Sequence, residues 1–285
     1  MSFPVLLTVD GLTDVGNRRQ NNEDAWWAGQ LGGRHAFMER NNEPMHLDSK
    51  EGPVLMLVSD GVGGANAGEV ASQMAAKGIP DELGKAQPVF ADLKSARESI
   101  ERSVRKANGE ITMKSKEAGF EGMGATLSLV CFCTGGAAVW MQAGDSRIYV
   151  FRRGQLRQIS RDHSPVGRMR HEGKISEEEA RVHPLRNQID QSLGDPMKLF
   201  EPETGEEPVV AGDVFLVCSD GISDGLWDRQ IAEVLSSVKS KVSVRPAVEK
   251  LVSSAKAASG RDNLTAVLGY VGHGKRSLLG MLRNK

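Results

Sequence analysis

The chain has 285 residues, with 39% hydrophobic and 26% charged side chains, which is the composition of a folded globular protein rather than a disordered one. Its 36 basic and 37 acidic residues give a formal net charge of -1, which excludes a general electrostatic attraction to nucleic acid or anionic lipid. No stretch approaches the roughly 18 apolar residues of a membrane helix, and the first residues lack the basic region of a secretory signal. We therefore expect a cytoplasmic protein with no membrane span and no nucleic-acid partner. We also expect a monomer.

Apolar runs rich in Val, Leu and Ile predict strands along much of the chain. These runs cover residues 6–12, 54–59, 126–133, 137–143, 148–151, 214–219 and 264–270. Apolar positions three and four residues apart predict a helix over 92–119, with Asp92 as its N-cap and Gly119 as its end, and another helix after Pro246. Residues 68–83 predict a third helix.

The order of these elements favours one fold class. Helices are grouped in the chain instead of alternating with strands, which favours an α+β fold over a doubly wound parallel sheet. We expect two packed antiparallel β-sheets, a β-sandwich flanked by α-helices in four layers αββα. One domain is expected over 1–271, followed by a basic tail over 272–285 that is either frayed or a short helix for a membrane surface or a partner.

Two segments between the predicted elements are polar and have no clear period. Residues 30–52 predict a long surface loop, and residues 167–186 predict an irregular region. Within the second, Ser176 and the glutamates that follow it form a capping box for a short helix.

Other residues bear on the core. Cys131, Cys133 and Cys218 lie in apolar runs. We interpret them as buried, reduced thiols, because their number is odd and no Cys-x-x-Cys pair occurs. Of the adjacent Trp26 and Trp27, we expect one in the core and the other partly exposed.

Aspartates lie where the predicted core strands end. Asp60 and Asp220 each follow an apolar run in the sequence Ser-Asp-Gly, and Asp262 precedes such a run. Converging carboxylates that are partly desolvated repel one another, and a hard divalent cation with oxygen ligands, such as Mg²⁺ or Mn²⁺, relieves that repulsion. Taken alone, each Asp-Gly pair is more typical of a turn than of a metal ligand.

The order of the motifs makes the pattern specific. The motifs are DVGNRRQNNED (14–24), VSDGVGG (58–64), GAT (124–126), AGDSR (143–147), DHS (162–164), CSDG (218–221) and GRDNLT (260–265). In this order they resemble the motifs of the metal-dependent serine/threonine phosphatases of type 2C, the PPM family, in its bacterial form. The resemblance runs from about residue 10 to about residue 271.

The resemblance implies a set of metal ligands. Asp60 would bridge two cations, and the carbonyl group of Gly61 would bind one of them. Glu23 would serve the second cation, and Asp220 and Asp262 would hold the first. The cofactors implied are two to three divalent cations, Mn²⁺ or Mg²⁺.

The resemblance also implies roles outside this pair of cations. Asp145, together with Asp220, would bind a third cation. Arg19 would be catalytic by gripping the substrate phosphate, Asp24 would orient water at the cations, and Asn263 would support Asp262. The reaction would be hydrolysis of phosphoserine and phosphothreonine by cation-activated water, without a covalent phosphoenzyme.

One position departs from the eukaryotic members of the family. Val62 stands where many of them have a histidine suggested as the general acid. His163 and His183 are alternatives, but we expect the first to cap or pack and the second to belong to a flap segment. The valine is typical of bacterial members, which implies phosphorylated proteins as substrates and a Hanks-type serine/threonine kinase as partner.

Two other functions stay open at this point. One is a catalytically weak regulator of the same fold that only binds a partner. The other is a phosphatase of small phosphorylated molecules.

Overall fold

The computed structural model describes residues 5–33, 35–37, 43–63, 67–85, 90, 92–133 and 135–272. The strands are β1 (Leu6–Asp14), β2 (Asp24–Gln30), β3 (His35–Phe37), β4 (Met45–Asp48), β5 (Val54–Val62), β6 (Gly124–Ala125), β7 (Leu127–Cys133), β8 (Ala137–Ala143), β9 (Arg147–Arg152), β10 (Gln155–Gln158), β11 (Glu203–Pro208), β12 (Val214–Cys218) and β13 (Leu264–Gly272). The helices are α1 (Ala67–Lys85), α2 (Leu93–Lys114), α3 (Pro165–His171), α4 (Glu177–Val182), α5 (Asp220–Gly225), α6 (Asp228–Ser236) and α7 (Val244–Ala258), with a 3₁₀ turn at Lys241–Ser243.

The strands form two antiparallel sheets. One has the order β10-β9-β12-β13-β1-β4, and the other has the order β11-β8-β7-β5-β2-β3, with β6 paired to β5. Apolar side chains between the sheets form one core, while α1 and α2 cover the outer face of the second sheet and α5, α6 and α7 cover that of the first. The predicted αββα sandwich is confirmed.

The two adjacent tryptophans show how the layers are built. Successive side chains of a strand point to opposite faces. Trp26 packs into the core between the sheets, and Trp27 packs into the core beneath α1 and α2. Both are buried, so the expectation that one is partly exposed was wrong.

Several predicted elements are confirmed. Helix α1 covers the predicted residues 68–83. Asp92 caps α2 through a hydrogen bond from the Ser95 main-chain N–H to its Oδ1, although this helix ends at Lys114, before Gly119. Ser176 forms the predicted capping box at the start of α4.

Two predicted loops contain secondary structure. Residues 30–52 include β3 and β4, and β4 pairs with β1. Residues 167–186 include most of α3 and all of α4, so this region is helical rather than irregular; we call residues 165–187 the flap segment. The strands β2, β10 and β11 were not predicted either, and the tail at 273–285 lies outside the described residues. Within the described part of the chain, every helix is too short or too polar to cross a lipid bilayer.

Candidate metal centre

Pairing between β2 and β5 brings two of the predicted site residues together. Asp24 is the first residue of β2, and its Cα lies opposite that of Asp60 in the ladder. Asp60 lies inside β5, which continues to Val62, and not beyond the strand end as the sequence suggested. The Asp60 main chain is fixed by Thr126, whose hydroxyl accepts from the Asp60 N–H at 2.9 Å and whose own N–H donates to the Asp60 carbonyl at 2.8 Å.

Gly61 follows Asp60 in a tightly packed place. Its N–H donates to the Glu23 carbonyl oxygen at 3.0 Å. A Cβ added at Gly61 would lie 2.3 Å from the carbonyl carbon and oxygen of Gly68, in the first turn of α1. Only glycine fits here, and the close backbone contact fixes the Gly61 peptide group next to Asp60.

Asp220 is brought to the same place by β12 and α5. It is the first residue of α5, directly after Ser219, so it opens a helix instead of a turn. The hydroxyls of Ser219 and Thr265 donate to Asp24 Oδ2 at 2.7 and 2.6 Å. These bonds hold the buried Asp24 carboxylate between the two sheets.

Arg19 joins two further acidic residues. Its Nη2 donates to Asp262 Oδ2 at 2.8 Å, and its Nη1 lies 3.6 Å from Glu23 Oε2. The Arg19 side chain is 47% exposed, so part of its guanidinium group faces solvent. The hydrogen bond that Arg19 donates to Asp262 raises the pKa of Arg19, which stays fully charged.

Asn263 organises the loop that carries Arg19. Its Nδ2 donates to the carbonyl oxygens of Val15 at 3.0 Å and Asn21 at 2.9 Å, and its Oδ1 accepts from the Glu23 N–H at 2.8 Å. Its main-chain N–H donates to Asp262 Oδ1 at 2.8 Å. The Asn263 side chain thus holds the 15–23 loop. Its main-chain N–H contacts the Asp262 carboxylate, which is the residue that the family resemblance expected Asn263 to support.

Asp145 lies in the crossing between the sheets. The strands that flank it, β8 and β9, belong to different sheets, so Asp145 lies in a connection between the sheets and not in a hairpin turn. Asp145 and Asp220 line one cleft, together with Arg147 and Asp162. Arg147 donates to both oxygens of Asp162, at 3.0 Å from Nε to each and at 2.7 Å from Nη2 to Oδ2.

Asp224 also lines this cleft and was missed by the sequence analysis. It follows Asp220 by one turn of α5, which puts both side chains on the same side of the helix. The spacing of four residues was visible in the sequence, but α5 has only six residues and its apolar period could not be recognised.

The charges of these groups are strongly coupled. Burial raises the pKa of Asp24 to about 6 and that of Asp145 to about 7. Burial, and then the neighbouring aspartates, raise the pKa of Asp60 and of Asp220 well above their ordinary values. Burial likewise raises the pKa of Glu23. Full ionisation of these carboxyl groups is therefore unfavourable in the absence of a cation.

The residues present fit divalent cations. Asp24 Oδ1 and Asp220 Oδ1 are buried and have no hydrogen-bonding partner among the described residues. The donor atoms are all oxygen, which suits Mg²⁺ and Mn²⁺. In the part of the chain that the structure describes, no three carboxylate, imidazole or thiol groups lie close enough together to enclose a cation without some movement of the side chains.

The two histidines considered as proton donors, His163 and His183, contact residues other than the carboxylates of the metal centre. The His163 ring is 4.0 Å from Glu203, and burial lowers its pKa. His183 is the C-cap of α4, where its Nδ1 accepts from the Leu185 N–H at 3.2 Å. Val62, at the end of β5, is 37% exposed and has no proton to donate.

Comparison with known proteins assigns the chain to a family. The family model for protein phosphatase 2C matches residues 43–269. A putative protein phosphatase 2C-type of Streptococcus pyogenes serotype M6 is 31% identical over 256 residues, covering 90% of this chain and 94% of that protein. The serine/threonine phosphatase of S. agalactiae has a TM-score of 0.76 at 31% identity, covering 93% of this chain and 99% of the other.

Another solved structure bears on the cofactor. The catalytic domain of the serine/threonine protein phosphatase PstP, in complex with two manganese ions, has a TM-score of 0.74 at 31% identity and covers 95% of this chain and 100% of the other. These matches agree with the predicted family and with the predicted class of cofactor. The chain therefore belongs to the protein phosphatase 2C family, the metal-dependent serine/threonine phosphatases.

Proposed function

We propose that this chain removes phosphate from phosphoserine and phosphothreonine in proteins, using the metal centre at Asp60. The observation that carries the proposal is that separate elements bring acidic side chains near one another beside an arginine: Asp24 lies opposite Asp60, and Arg19 contacts Asp262 and Glu23. The charges of Asp24, Asp145, Asp220 and Asp262 all act on Asp60 and raise its pKa. Such an arrangement is costly in a protein that only binds a partner, and it is useful in one that binds cations.

We assign the cation ligands as the family resemblance implies. Asp60 would bridge two cations, with Asp220 and Asp262 on one and Glu23 on the other, and the Gly61 carbonyl would complete a ligand set. When bound, divalent cations lower the pKa of a coordinated water and neutralise phosphate oxygens. Asp24, held by hydroxyl groups at its Oδ2, keeps Oδ1 free of protein donors among the described residues and would accept a hydrogen bond from that water.

Arg19 would bind the substrate phosphate. Guanidinium groups pair with phosphate through parallel hydrogen bonds and stay charged at any physiological pH. Arg19 is partly exposed while one of its nitrogens is held by Asp262, so a phosphate can approach the remaining donors. Asn263 supports this role because it holds both ends of the loop from Val15 to Glu23.

A third cation would bind near Asp145 and Asp220. Both line the cleft between the flap segment and the body of the protein. We add Asp224 to this group, since its side chain lines the same cleft. The repulsion among these carboxylates is what a cation would relieve.

Phosphoproteins are proposed as substrates in preference to small phosphorylated molecules. The test is phosphate release from a phosphothreonine peptide and a phosphoserine peptide, beside sugar phosphates and nucleotides at equal concentration. We expect turnover of the peptides to exceed that of the small molecules by at least an order of magnitude in kcat/KM. Preferential hydrolysis of one small phosphate would contradict the proposal, as would the absence of any hydrolysis with manganese present.

We also propose a cellular setting for this chain. The chain would act in the cytoplasm as a monomer and oppose a serine/threonine kinase of the Hanks type, which would be among its substrates. The similar proteins are bacterial serine/threonine phosphatases, the kind of enzyme that would oppose such a kinase. Dephosphorylation of such a kinase from the same cell, and size-exclusion chromatography with light scattering, would test the two parts.

A further inference from the structure

Arg181 in the flap segment has contacts unlike those of a surface arginine. Helix α4 has no fully buried residue, yet the Arg181 side chain is only 19% exposed. The guanidinium carbon lies 4.2 Å from the centre of the Trp227 ring, in a cation–π contact. Glu177, one turn earlier on α4, pairs with its Nη2 at 3.1 Å.

The same guanidinium group binds the end of α5. Nη1 donates to the Asp224 carbonyl oxygen at 2.8 Å, and Nη2 donates to the carbonyl oxygens of Ser223 at 2.7 Å and Leu226 at 2.6 Å. The last carbonyls of a helix have no partner inside the helix, and a positive charge there is favourable. Arg181 therefore serves as a cap for α5 that comes from another part of the chain.

Helix α5 depends on such a contact more than a longer helix would. It has six residues, too few to be stable alone, and its N-cap residue Ser219 makes no side-chain capping bond. The Ser219 hydroxyl donates instead to Asp24. The first residue of α5 is Asp220, and Asp224 follows one turn later, so the placement of both carboxylates depends on this short helix.

We infer that Arg181 is a positioning residue for the reaction, which fixes α5 and thereby the cation-binding carboxylates Asp220 and Asp224. The inference rests on the proposed function, in which Asp220 and Asp224 hold cations. Arg181 acts through the main chain of α5, because its guanidinium group donates to carbonyl oxygens at the end of that helix. The loss of Arg181 should lower the affinity for cations while the protein still folds.

The flap segment has a separate attachment that remains when Arg181 is removed. Arg170 of α3 pairs with Asp228 of α6, and the Asp228 N–H donates to Glu177 at 3.1 Å. We therefore expect Arg181→Ala to fold with the flap segment still docked on α6, and the loss to be confined to α5.

The experiment is calorimetric titration with manganese alone, together with phosphopeptide hydrolysis at increasing manganese. For Arg181→Ala we expect the weakest manganese site to lose affinity on the order of fivefold or more, and kcat to return towards the wild-type value at high manganese. Arg181→Lys, which keeps the charge, should lie in between. The matched control is Arg168→Ala, in which a 58% exposed arginine of the same segment, paired with Asp190, is removed; it should bind manganese like the wild type.

Wild-type manganese affinity in a folded Arg181→Ala protein would overturn the inference, and so would a lost activity that high manganese does not restore. If the alanine variant fails to fold, Arg181→Lys decides, because an ammonium group lacks the planar fork that reaches these carbonyls while stacked on Trp227; wild-type affinity there would be equally contrary. Wild-type protein that neither binds manganese nor needs it for hydrolysis would refute the proposed function itself, which is a distinguishable result.

Discussion

The negative charges of four other aspartates act on Asp60 and raise its pKa. We therefore expect the removal of a single carboxylate to affect turnover most at this position. Asp60→Asn keeps the shape of the side chain and removes its charge. We expect turnover to fall by several orders of magnitude at saturating manganese, because the cations supply the activated water. The metal-free variant should unfold at the same or a higher temperature than the wild type, since fewer carboxylates repel one another. Near-normal initial rates would rule out Asp60 as the bridging ligand.

The variant Asp145→Ala tests whether Asp145 binds a third cation or only shapes the connection between two strands. If Asp145 only shapes the crossing between β8 and β9, Asp145→Ala should lose stability on the order of 1 kcal/mol and keep its rate. If it binds a cation, the folded variant should lose most of its phosphopeptide turnover, and calorimetry should show one weak manganese site missing. We expect the second outcome.

The control for Asp145→Ala is Asp195→Ala. Asp195 accepts a hydrogen bond from the Met197 N–H at 2.9 Å in an exposed loop. It lies outside the carboxylate cluster, by which we mean Asp24, Asp60, Asp145, Asp220, Asp224 and Asp262. That variant should keep both its rate and its manganese sites. Normal turnover of folded Asp145→Ala across a range of manganese concentrations would show that Asp145 has a structural role alone.

At the residue level, motifs predicted which side chains meet but not what holds them. Asp60, Asp220 and Asp262 were found because each stands beside an apolar run in a known motif. The three bonds from the Asn263 side chain to the 15–23 loop depend on residues about 240 positions away in the chain, which no local pattern shows. Asp224 was missed because α5 is too short to have a recognisable period.

At the level of elements, the contact between α1 and β5 can be tested with a pair of glycines in one helix. A Cβ at Gly68 would lie 2.9 Å from the Gly61 carbonyl carbon and 3.1 Å from its oxygen. We expect Gly68→Ala to lower the free energy of unfolding by about 1–3 kcal/mol. It should also weaken manganese binding, because the Gly61 carbonyl has to move.

The matched control for this prediction is Gly78→Ala in the same helix. Among the residues that the structure describes, a Cβ there would meet only Glu110 Oε2, at 4.0 Å. Alanine is the better helix former by up to about 1 kcal/mol, so this variant should be as stable as the wild type or more stable. Denaturant unfolding and manganese titration of both proteins measure the difference, and equal behaviour of the two variants would contradict the proposed contact.

The strands that the sequence did not reveal have a common physical cause. β11, with the sequence ETGEEP, forms an edge of its sheet, and β10 forms an edge of the other. Edge strands face solvent and carry polar residues, so their hydropathy is that of a loop. β2 is buried on both faces and has no alternation to detect. The sandwich itself could be predicted because its central strands are long apolar runs.

For the molecule as a whole, the carboxylate cluster predicts how stability depends on pH. The pKa of Asp24 is raised from 3.8 to about 6 and that of Asp145 from 3.8 to about 7. At pH values between the ordinary pKa of 3.8 and these raised pKa values, the folded state binds more protons than the unfolded chain. The free energy of unfolding of metal-free protein therefore falls as pH rises through this range. We expect a higher melting temperature at about pH 5.5 than at about pH 7.5 in chelator.

Saturating manganese should oppose this trend. Cations bind the ionised carboxylates, so their stabilisation grows as pH rises through the same window. Scanning calorimetry with and without manganese compares the two slopes. A melting temperature of metal-free protein that increases from about pH 5.5 to about pH 7.5 would contradict the electrostatics described for this site.

The most direct measurement is phosphate release from a phosphothreonine peptide as metal is removed and returned. Purified protein is treated with excess chelator, assayed, freed of chelator and assayed again with manganese or with magnesium. We predict that hydrolysis falls to background in chelator and recovers with either cation, because the carboxylates at Asp60 activate no water without them. Full activity in excess chelator would contradict a metal-dependent mechanism at this site.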